Sequence, residues 1–248
     1  MPENDPAGND PAGTENDLMV MVPTRGRPER LRKCLDSFKA TSTCADIAVI
    51  TDPDDPSYDG FDFGEAAHAV LEPRASLSGK LNKTAEAFAD TYRVLAWVAD
   101  DHVFETPGWD KIMLDALDGM GGSGWCYPED MRRSDVPEIW MVSSDIVRAL
   151  GWFANPALNH FYIDNTIGEL GKRSGLIRWC PQAVIRHEHY SITPDVDRDE
   201  VYRTTEETFG AADIAAFREW QSTQMGNEVA VLRRAFSPDV AWVLSQVA

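Results

Sequence analysis

Short apolar runs alternate with amphipathic segments along the first half of the chain, and this alternation restricts the fold more than any other feature. The apolar runs have the length of buried strands and fall at residues 18–22, 46–51 and 93–99. Segments with apolar residues at helical spacing fall at about 28–40, 80–92 and 109–117. A series of strand, helix, strand, helix and strand predicts an α/β fold, with a mostly parallel central sheet flanked by helices.

The second half of the chain has a more mixed pattern. We expect strands at 139–142, 176–179 and 183–186, and helices at 144–150, 161–173, 205–220 and 227–235. No segment is rich enough in Pro, Gly or Ser to act as a linker. We therefore expect one domain over residues 18–204, with a helical extension over 205–248 packed on it.

Composition narrows the class of protein. Residues 1–17 contain NDPAG twice and no large apolar residue, which predicts a disordered leader. The formal net charge of −18 argues against strong binding of bare nucleic acid, because that task needs basic patches. The four cysteines form no CxxC pair, and no apolar run has the length of a membrane span. The start lacks the pattern of a signal peptide, so we expect a cytoplasmic protein.

Polar side chains directly follow three of the predicted strands. These clusters are Thr24 with Arg25, Asp52 with Asp54, and Asp100 with Asp101 and His102. In parallel α/β sheets ligands bind beyond the carboxyl ends of the strands, so the clusters are expected to share one edge. A solvated turn would explain an isolated acidic pair. Because this pair follows an apolar strand and precedes an imidazole, the sequence favours a site for a divalent cation.

Six stretches occur in a fixed order along residues 18–190. They read VMVPTRGRPERLRKCLDSF, IAVITDPDDPSYDG, LSGKLNKTAEAF, VLAWVADDHVFETPGWDKIM, YIDNTIGELGKRSG and CPQAVIRHEHYS. This series resembles the GT-A-fold nucleotide-sugar glycosyltransferases, most of all their large inverting family. The resemblance implies a Rossmann-like GT-A catalytic domain over 18–204. It also implies transfer of a sugar from a nucleoside diphosphate, UDP, to a hydroxyl acceptor.

The resemblance also implies which residues bind the donor. Asp52 or Asp54 accepts a hydrogen bond from the base, Asp52 being preferred because it comes first after the strand, although a Pro-Asp turn is the alternative explanation. Lys80 or Arg74 neutralises the diphosphate. The donor-binding residues implied in this way are Pro23, Thr24, Arg25, Asp52, Asp54, Lys80, Asp100 and Asp101.

The metal motif departs from the family's Asp-x-Asp pattern, and two registers stay open. In the first, which is the primary assignment, Asp100 and His102 bind the metal, and this is similar to the polypeptide N-acetylgalactosaminyltransferases with their distant second histidine. In the second, Asp101 is the ligand and Asp100 faces the ribose. A late histidine completes the site, and His187 is preferred to His189 because it directly follows an apolar strand. The implied cofactor is Mn²⁺, with Mg²⁺ as the alternative.

The acceptor side is less well defined. The family's Glu-Asp motif appears here as Asp164-Asn165, so Asp164 is the expected general base, with Glu169 as a second candidate and a helix cap as the structural explanation. The polar loop 126–137 is a candidate lid over the donor. Aromatic side chains can stack on an acceptor sugar, although most are expected in the core. They are Trp140, Trp152, Phe153, Phe161 and Tyr162.

Two other functions stay open at this point. One is a non-catalytic module that binds a nucleotide or a sugar. The other is a glycosyltransferase that acts on modified DNA bases or on a structural protein of a phage. Neither the sugar nor the acceptor follows from the sequence.

Overall fold

The computed structural model describes residues 17–133, 135–193 and 198–236, which contain eight strands and seven α-helices. The strands are β1 (Leu18–Pro23), β2 (Ala45–Thr51), β3 (Ala67–Val70), β4 (Val94–Trp97), β5 (His102–Phe104), β6 (Trp125–Glu129), β7 (Trp140–Ser143) and β8 (Ile177–His187). The helices are α1 (Pro28–Thr41), α2 (Leu77–Phe88), α3 (Trp109–Asp118), α4 (Ser144–Leu150), α5 (Ile163–Ser174), α6 (Glu200–Thr223) and α7 (Met225–Phe236).

All eight strands join one sheet in the order β3-β2-β1-β4-β7-β6-β8-β5. The first four strands in this order are parallel to one another. In contrast, β7 is antiparallel to both of its neighbours, β8 is parallel to β6, and β5 is antiparallel to β8. The predicted α/β class with a mostly parallel sheet flanked by helices is confirmed.

Strand β1 and helix α1 were predicted well because their own sequences show which residues are buried. Strand β1 is buried along its whole length, which explains its unbroken apolar sequence, as expected for a parallel strand covered on both faces. Helix α1 buries Leu31, Cys34, Leu35 and Phe38, which recur at helical spacing, and it begins at Pro28, where a missing N–H costs nothing.

Four helices begin at residues other than those predicted. Two of them, α6 and α7, begin at Glu200 and Met225 rather than at residues 205 and 227. Helix α2 begins at Leu77 rather than at residue 80, because the Ser76 hydroxyl accepts a hydrogen bond from the backbone N–H of Gly79 and caps the helix. Helix α5 begins at Ile163 rather than at residue 161, because Tyr162 has a left-handed backbone with φ of 64°. That conformation lies outside the helix, so the regular turn starts after it.

Strands β3, β5 and β6 were not predicted, and β6 overturns one interpretation. It runs from Trp125 to Glu129 and so takes up the first residues of the loop 126–137 that the sequence made a candidate lid; Cys126 and Tyr127 are buried there between β7 and β8. The first part of that loop is therefore core rather than lid. Strand β8 is one strand where two were predicted, because a register shift between Pro128 and Glu129 takes up residues 181–183.

The two ends of the chain are described only in part. Residues 1–16 of the predicted leader and residues 237–248 of the predicted extension lie outside the described residues. Helix α6 runs across positions 204 and 205, where the predicted domain was separated from its extension, and α7 packs on α4 and α5. Of the helices in the described ranges, none has the length and apolar character needed to cross a membrane.

Candidate active site

A cleft of about 980 Å³ opens where β1, β2 and β4 end. The three polar strand ends meet in it, which is the convergence that the sequence predicted. The predicted site residues that line the cleft are Pro23, Thr24, Arg25, Asp52, Arg74, Lys80, Asp100, Asp101, His102, Asp164, His187 and His189. Two predicted residues, Asp54 and Glu169, do not line it.

Three side chains in the cleft form a group that can hold a metal ion. They are Asp101, His102 and His187, each of which offers one ligand atom within 4.8 Å of the other two. The antiparallel pairing of β5 with β8 places His102 opposite His187, and their rings stack with centroids 4.2 Å apart. The pairing of these two strands therefore unites ligands that lie far apart in the sequence.

The two oxygens of Asp101 have different surroundings. Its Oδ1 lies 3.4 Å from Nδ1 of His102 and 3.5 Å from Nε2 of His187. Its Oδ2 accepts a hydrogen bond from the Tyr202 hydroxyl at 2.5 Å. Within the described part of the chain, Asp101 Oδ1 and His102 Nε2 are buried and have no hydrogen-bond partner. Because an unpaired buried polar atom costs free energy, both atoms suit a bound cation.

Close contacts set the charges in this group. Burial would raise the pKa of Asp101, but the imidazoles of His102 and His187 hold it well below its usual value. Burial would lower the pKa of His187, but Asp101 and Glu138 raise it to about 9. The group therefore holds an anionic carboxylate, and a cation that binds here takes the place of a proton on the imidazole.

Asp100 lies beside this group. One of its oxygens accepts a hydrogen bond from the Thr24 hydroxyl at 2.7 Å, and the other lies 3.3 Å from the Arg27 guanidinium. Burial raises the pKa of Asp100 to about 6. With both oxygens engaged by the β1–α1 segment, the contacts favour the register in which Asp101, and not Asp100, supplies the ligand.

His189 also lines the cleft but lies outside the three-residue group. Its Nδ1 lies 2.7 Å from the Ser191 hydroxyl, and its ring meets the His187 ring edge-on at a centroid distance of 5.2 Å. The preference for His187 over His189 agrees with this arrangement.

The charged residues predicted to contact the base or the diphosphate form one ion-pair network with Arg25. Lys80 Nζ lies 2.7 Å from Asp52 Oδ1, and Arg25 lies 3.1 Å from Asp52 Oδ2. Arg25 also pairs with Asp54 at 2.7 Å, and Arg74 approaches the same carboxylate at 3.4 Å. The Asp52 side chain is only 1% exposed, and both of its oxygens contact cations. A nucleobase that hydrogen-bonds to Asp52 therefore has to share an oxygen with Lys80 or Arg25.

Asp164, the second residue of α5, lines the cleft, and burial raises its pKa to about 6. Its Oδ1 also accepts the backbone N–H of Asn165 at 2.8 Å. The second candidate, Glu169, instead pairs with Arg173 at 2.7 Å one helical turn further on. Of the two carboxylates, Asp164 is the one that lines the cleft.

The aromatic residues divide between cleft and core. Phe161 and Tyr162 line the cleft, whereas Trp140 and Phe153 are buried and stack at a centroid distance of 5.6 Å. Trp152 packs at the edge of the same core. Most of these residues therefore belong to the core, as expected.

The start of α6 contributes residues to the cleft that the sequence did not predict. Asp199 caps α6 and binds Arg27 through both of its oxygens, at 2.8 and 2.9 Å. The Arg27 guanidinium lies 4.2 Å from the centre of the Tyr202 ring. An Asp before a helical segment is a recognisable N-cap. The local sequence does not indicate, however, that this helix contacts Asp101, which lies 101 residues earlier in the chain than Tyr202.

The chain has known counterparts in fold but not in sequence. No family model and no curated protein matches it. S. aureus TarS shares 11% identity at a TM-score of 0.56, over 90% of this chain and 44% of TarS. The chain thus spans less than half the length of that protein.

Two further matches contain nucleotides and cations. The mannosyltransferase PcManGT from Pyrobaculum calidifontis, in complex with GDP-Man and Mn²⁺, shares 10% identity at a TM-score of 0.51, over 95% of this chain and 82% of that one. Glucosyl-3-phosphoglycerate synthase from Mycobacterium tuberculosis, in complex with Mg²⁺ and UDP, shares 10% identity at a TM-score of 0.54, over 70% and 72%. These proteins have the GT-A fold of nucleotide-sugar glycosyltransferases, and so does this chain.

Proposed function

We propose that the chain is a metal-dependent glycosyltransferase that moves a sugar from a nucleoside diphosphate, UDP, to a hydroxyl acceptor. The observation that carries the proposal is a pair of buried atoms, Asp101 Oδ1 and His102 Nε2, which have no hydrogen-bond partner among the described residues and lie beside His187 in a cleft at the strand ends. The GT-A fold supports it, as do the two structural neighbours solved with a nucleotide and a divalent cation.

The proposed cation is Mn²⁺, with Mg²⁺ as the alternative. Asp101, His102 and His187 would hold it, and imidazole ligands suit manganese better than magnesium. When bound, a divalent cation acts as a Lewis acid that offsets the negative charge gathering on a diphosphate leaving group.

The chain's own cations attract the phosphates of the donor. Arg25, Arg74 and Lys80 surround Asp52 at one edge of the cleft, and Arg27 lies against Asp100 nearer the metal group. They place positive charge around a donor bound at the strand ends and turn its diphosphate toward the metal group.

Asp164 is the proposed general base. Its carboxylate takes the proton of the acceptor hydroxyl while the acceptor oxygen bonds to the anomeric carbon. The bond from that carbon to the diphosphate breaks, and its electron pair stays on the leaving group. A pKa of about 6 leaves Asp164 ionised at neutral pH and makes it a stronger base than an ordinary aspartate.

The test is release of UDP from a panel of UDP-sugars, with and without Mn²⁺. Asp101→Asn and His102→Ala are expected to abolish the Mn²⁺-dependent release. The matched control is His68→Ala, since His68 lies on β3, hydrogen-bonds to Thr51 at the end of β2 and does not line the cleft. If both site variants release UDP at the wild-type rate, the metal assignment is wrong. Binding of UDP without turnover of any donor would favour a nucleotide-binding module instead.

A further inference from the structure

Two nitrogens of His187 face two different carboxylates. Its Nδ1 lies 2.9 Å from Oε2 of Glu138, and its Nε2 lies 3.5 Å from Oδ1 of Asp101. Only one of these nitrogens can serve as a ligand within the group of Asp101, His102 and His187. The nitrogen that faces Glu138 is occupied, so Nε2 is the one directed toward the group.

Glu138 is itself held in place. It is 9% exposed, and its other oxygen, Oε1, pairs with the guanidinium of Arg132. The backbone N–H of His187 donates to the carbonyl of Asp130 at 3.0 Å, which fixes the β8 end of the contact. A buried carboxylate with a cation on one oxygen and an imidazole on the other has little freedom to turn away.

We propose that Glu138 is a positioning residue for the metal site. Its carboxylate accepts the Nδ1–H of His187 and so keeps Nε2 aimed at the position shared with Asp101 and His102, where a bound cation takes the place of the Nε2 proton. Histidines that bind metals commonly donate their other N–H to a carboxylate in this way, which fixes both the tautomer and the orientation of the ring. The inference rests on the proposed metal-dependent function and extends it to a residue outside the group of Asp101, His102 and His187.

The proposal predicts a measurable loss of metal affinity. Glu138→Gln keeps an acceptor oxygen near His187 but removes the charge and leaves Arg132 without its anionic partner. Loss of such an outer carboxylate typically weakens metal binding by about 10- to 100-fold. Glu138→Asp keeps the charge but shortens the side chain by one carbon, so it is expected to fall between Glu138→Gln and the wild type.

The experiment is a titration of the full chain with Mn²⁺, in which the electron paramagnetic resonance of free Mn²⁺ gives the dissociation constant. The matched control is Glu105→Gln, because Glu105 also pairs with an arginine, Arg186 at 2.6 Å, but does not line the cleft. Circular dichroism of each metal-free variant checks that the fold survives. We expect Glu138→Gln to weaken binding at least tenfold and Glu105→Gln to leave it within twofold.

A double-mutant cycle separates positioning from a general loss of structure. In a His187→Ala background, Glu138→Gln is expected to have no further effect, because the ring that it orients is gone. If the wild type binds neither Mn²⁺ nor Mg²⁺, the proposed metal function fails and this inference fails with it. If the wild type binds Mn²⁺ and Glu138→Gln and Glu138→Asp both bind it equally well, only the role of Glu138 is wrong.

Discussion

The Tyr202 hydroxyl donates a hydrogen bond to Oδ2 of Asp101 at 2.5 Å and so joins the first turn of α6 to the candidate metal group. The bond leaves Oδ1 of Asp101 as the oxygen that faces His102 and His187. Tyr202 and Glu138 occupy similar positions. Each contacts the atom of a proposed ligand that points away from the metal group: Oδ2 of Asp101 for Tyr202, and Nδ1 of His187 for Glu138.

The first prediction concerns this bond. Tyr202→Phe keeps the ring against Arg27 but removes the hydrogen bond to Oδ2 of Asp101, so Mn²⁺ affinity is expected to fall about tenfold. Tyr190→Phe is the control, because Tyr190 also lines the cleft and its hydroxyl donates to Glu206 at 3.2 Å. Isothermal titration with Mn²⁺ makes the measurement. Unchanged or tighter binding by Tyr202→Phe would show that the hydroxyl does not orient Asp101.

The second prediction concerns the proposed base. Activity is expected to require the Asp164 carboxylate, so kcat/KM for sugar transfer should rise with pH through about 6 and then level off. Asp164→Asn should lower kcat by about 10²- to 10⁴-fold while UDP binding persists. Glu169→Gln is the control, since Glu169 pairs with Arg173 outside the cleft. A pH profile that stays flat from 5 to 7, or loss of activity in the control, contradicts the assignment.

The third prediction concerns Asp213, a fully buried carboxylate of α6. It accepts hydrogen bonds from the backbone N–H groups of Asn159, His160 and Phe161 and from the Asn159 amide, at 2.8 to 2.9 Å. Asp213→Ala leaves these donors buried and unpaired, so it is expected to lower the free energy of unfolding by about 3 kcal/mol or more.

Urea denaturation measures this loss. Glu207→Ala, an exposed position on the same helix, is the control and should change the free energy of unfolding by less than about 0.5 kcal/mol. Equal stability of the Asp213 and Glu207 variants would mean that α6 does not hold the segment before α5.

The fourth prediction links stability to pH through Asp110. Burial would raise its pKa, but N–H groups of Cys44 and Thr43 and hydroxyls of Ser42 and Thr43 lower it to about 2. The folded pKa lies below the unfolded one, so the stabilisation is present above about pH 4 and is lost as pH falls toward 2. The contribution above pH 4 amounts to about 2 kcal/mol.

Urea denaturation of the wild type and Asp110→Asn between pH 7 and 3 tests this. The difference in unfolding free energy between the two should shrink as the pH drops below 4. Asp115→Asn on the same helix removes only an exposed contact with Lys111, and it should track the wild type at every pH. A difference that stays constant down to pH 3 would rule out the proposed linkage.

The sequence predicted those strands and helices in which buried apolar residues follow a regular pattern. An unbroken apolar strand such as β1 and a helix with one apolar face such as α1 show their packing in their own residues. Strand β3 does not, because all four of its residues, Ala67–Val70, are exposed at the edge of the sheet. Strand β5 has only three residues, and its existence depends on pairing with β8.

The residues of the candidate site also divide into those that a local sequence pattern indicated and those that it did not. Asp100, Asp101 and His102 were all candidate ligands because they follow an apolar strand. The choice between Asp100 and Asp101 depends on contacts with Thr24, Arg27 and His187 that form only in the folded chain. Tyr202 and Glu138 had no local pattern. Their roles come from tertiary contacts with Asp101 and His187, which the sequence alone does not bring together.

Anomalous diffraction at the manganese edge, from crystals grown with Mn²⁺ and UDP, would locate the proposed cation. We expect one strong peak within ligand distance of Asp101 Oδ1 and of a ring nitrogen from each of His102 and His187, next to the diphosphate. Well-ordered UDP in the cleft with no anomalous peak at these three residues would contradict the metal assignment.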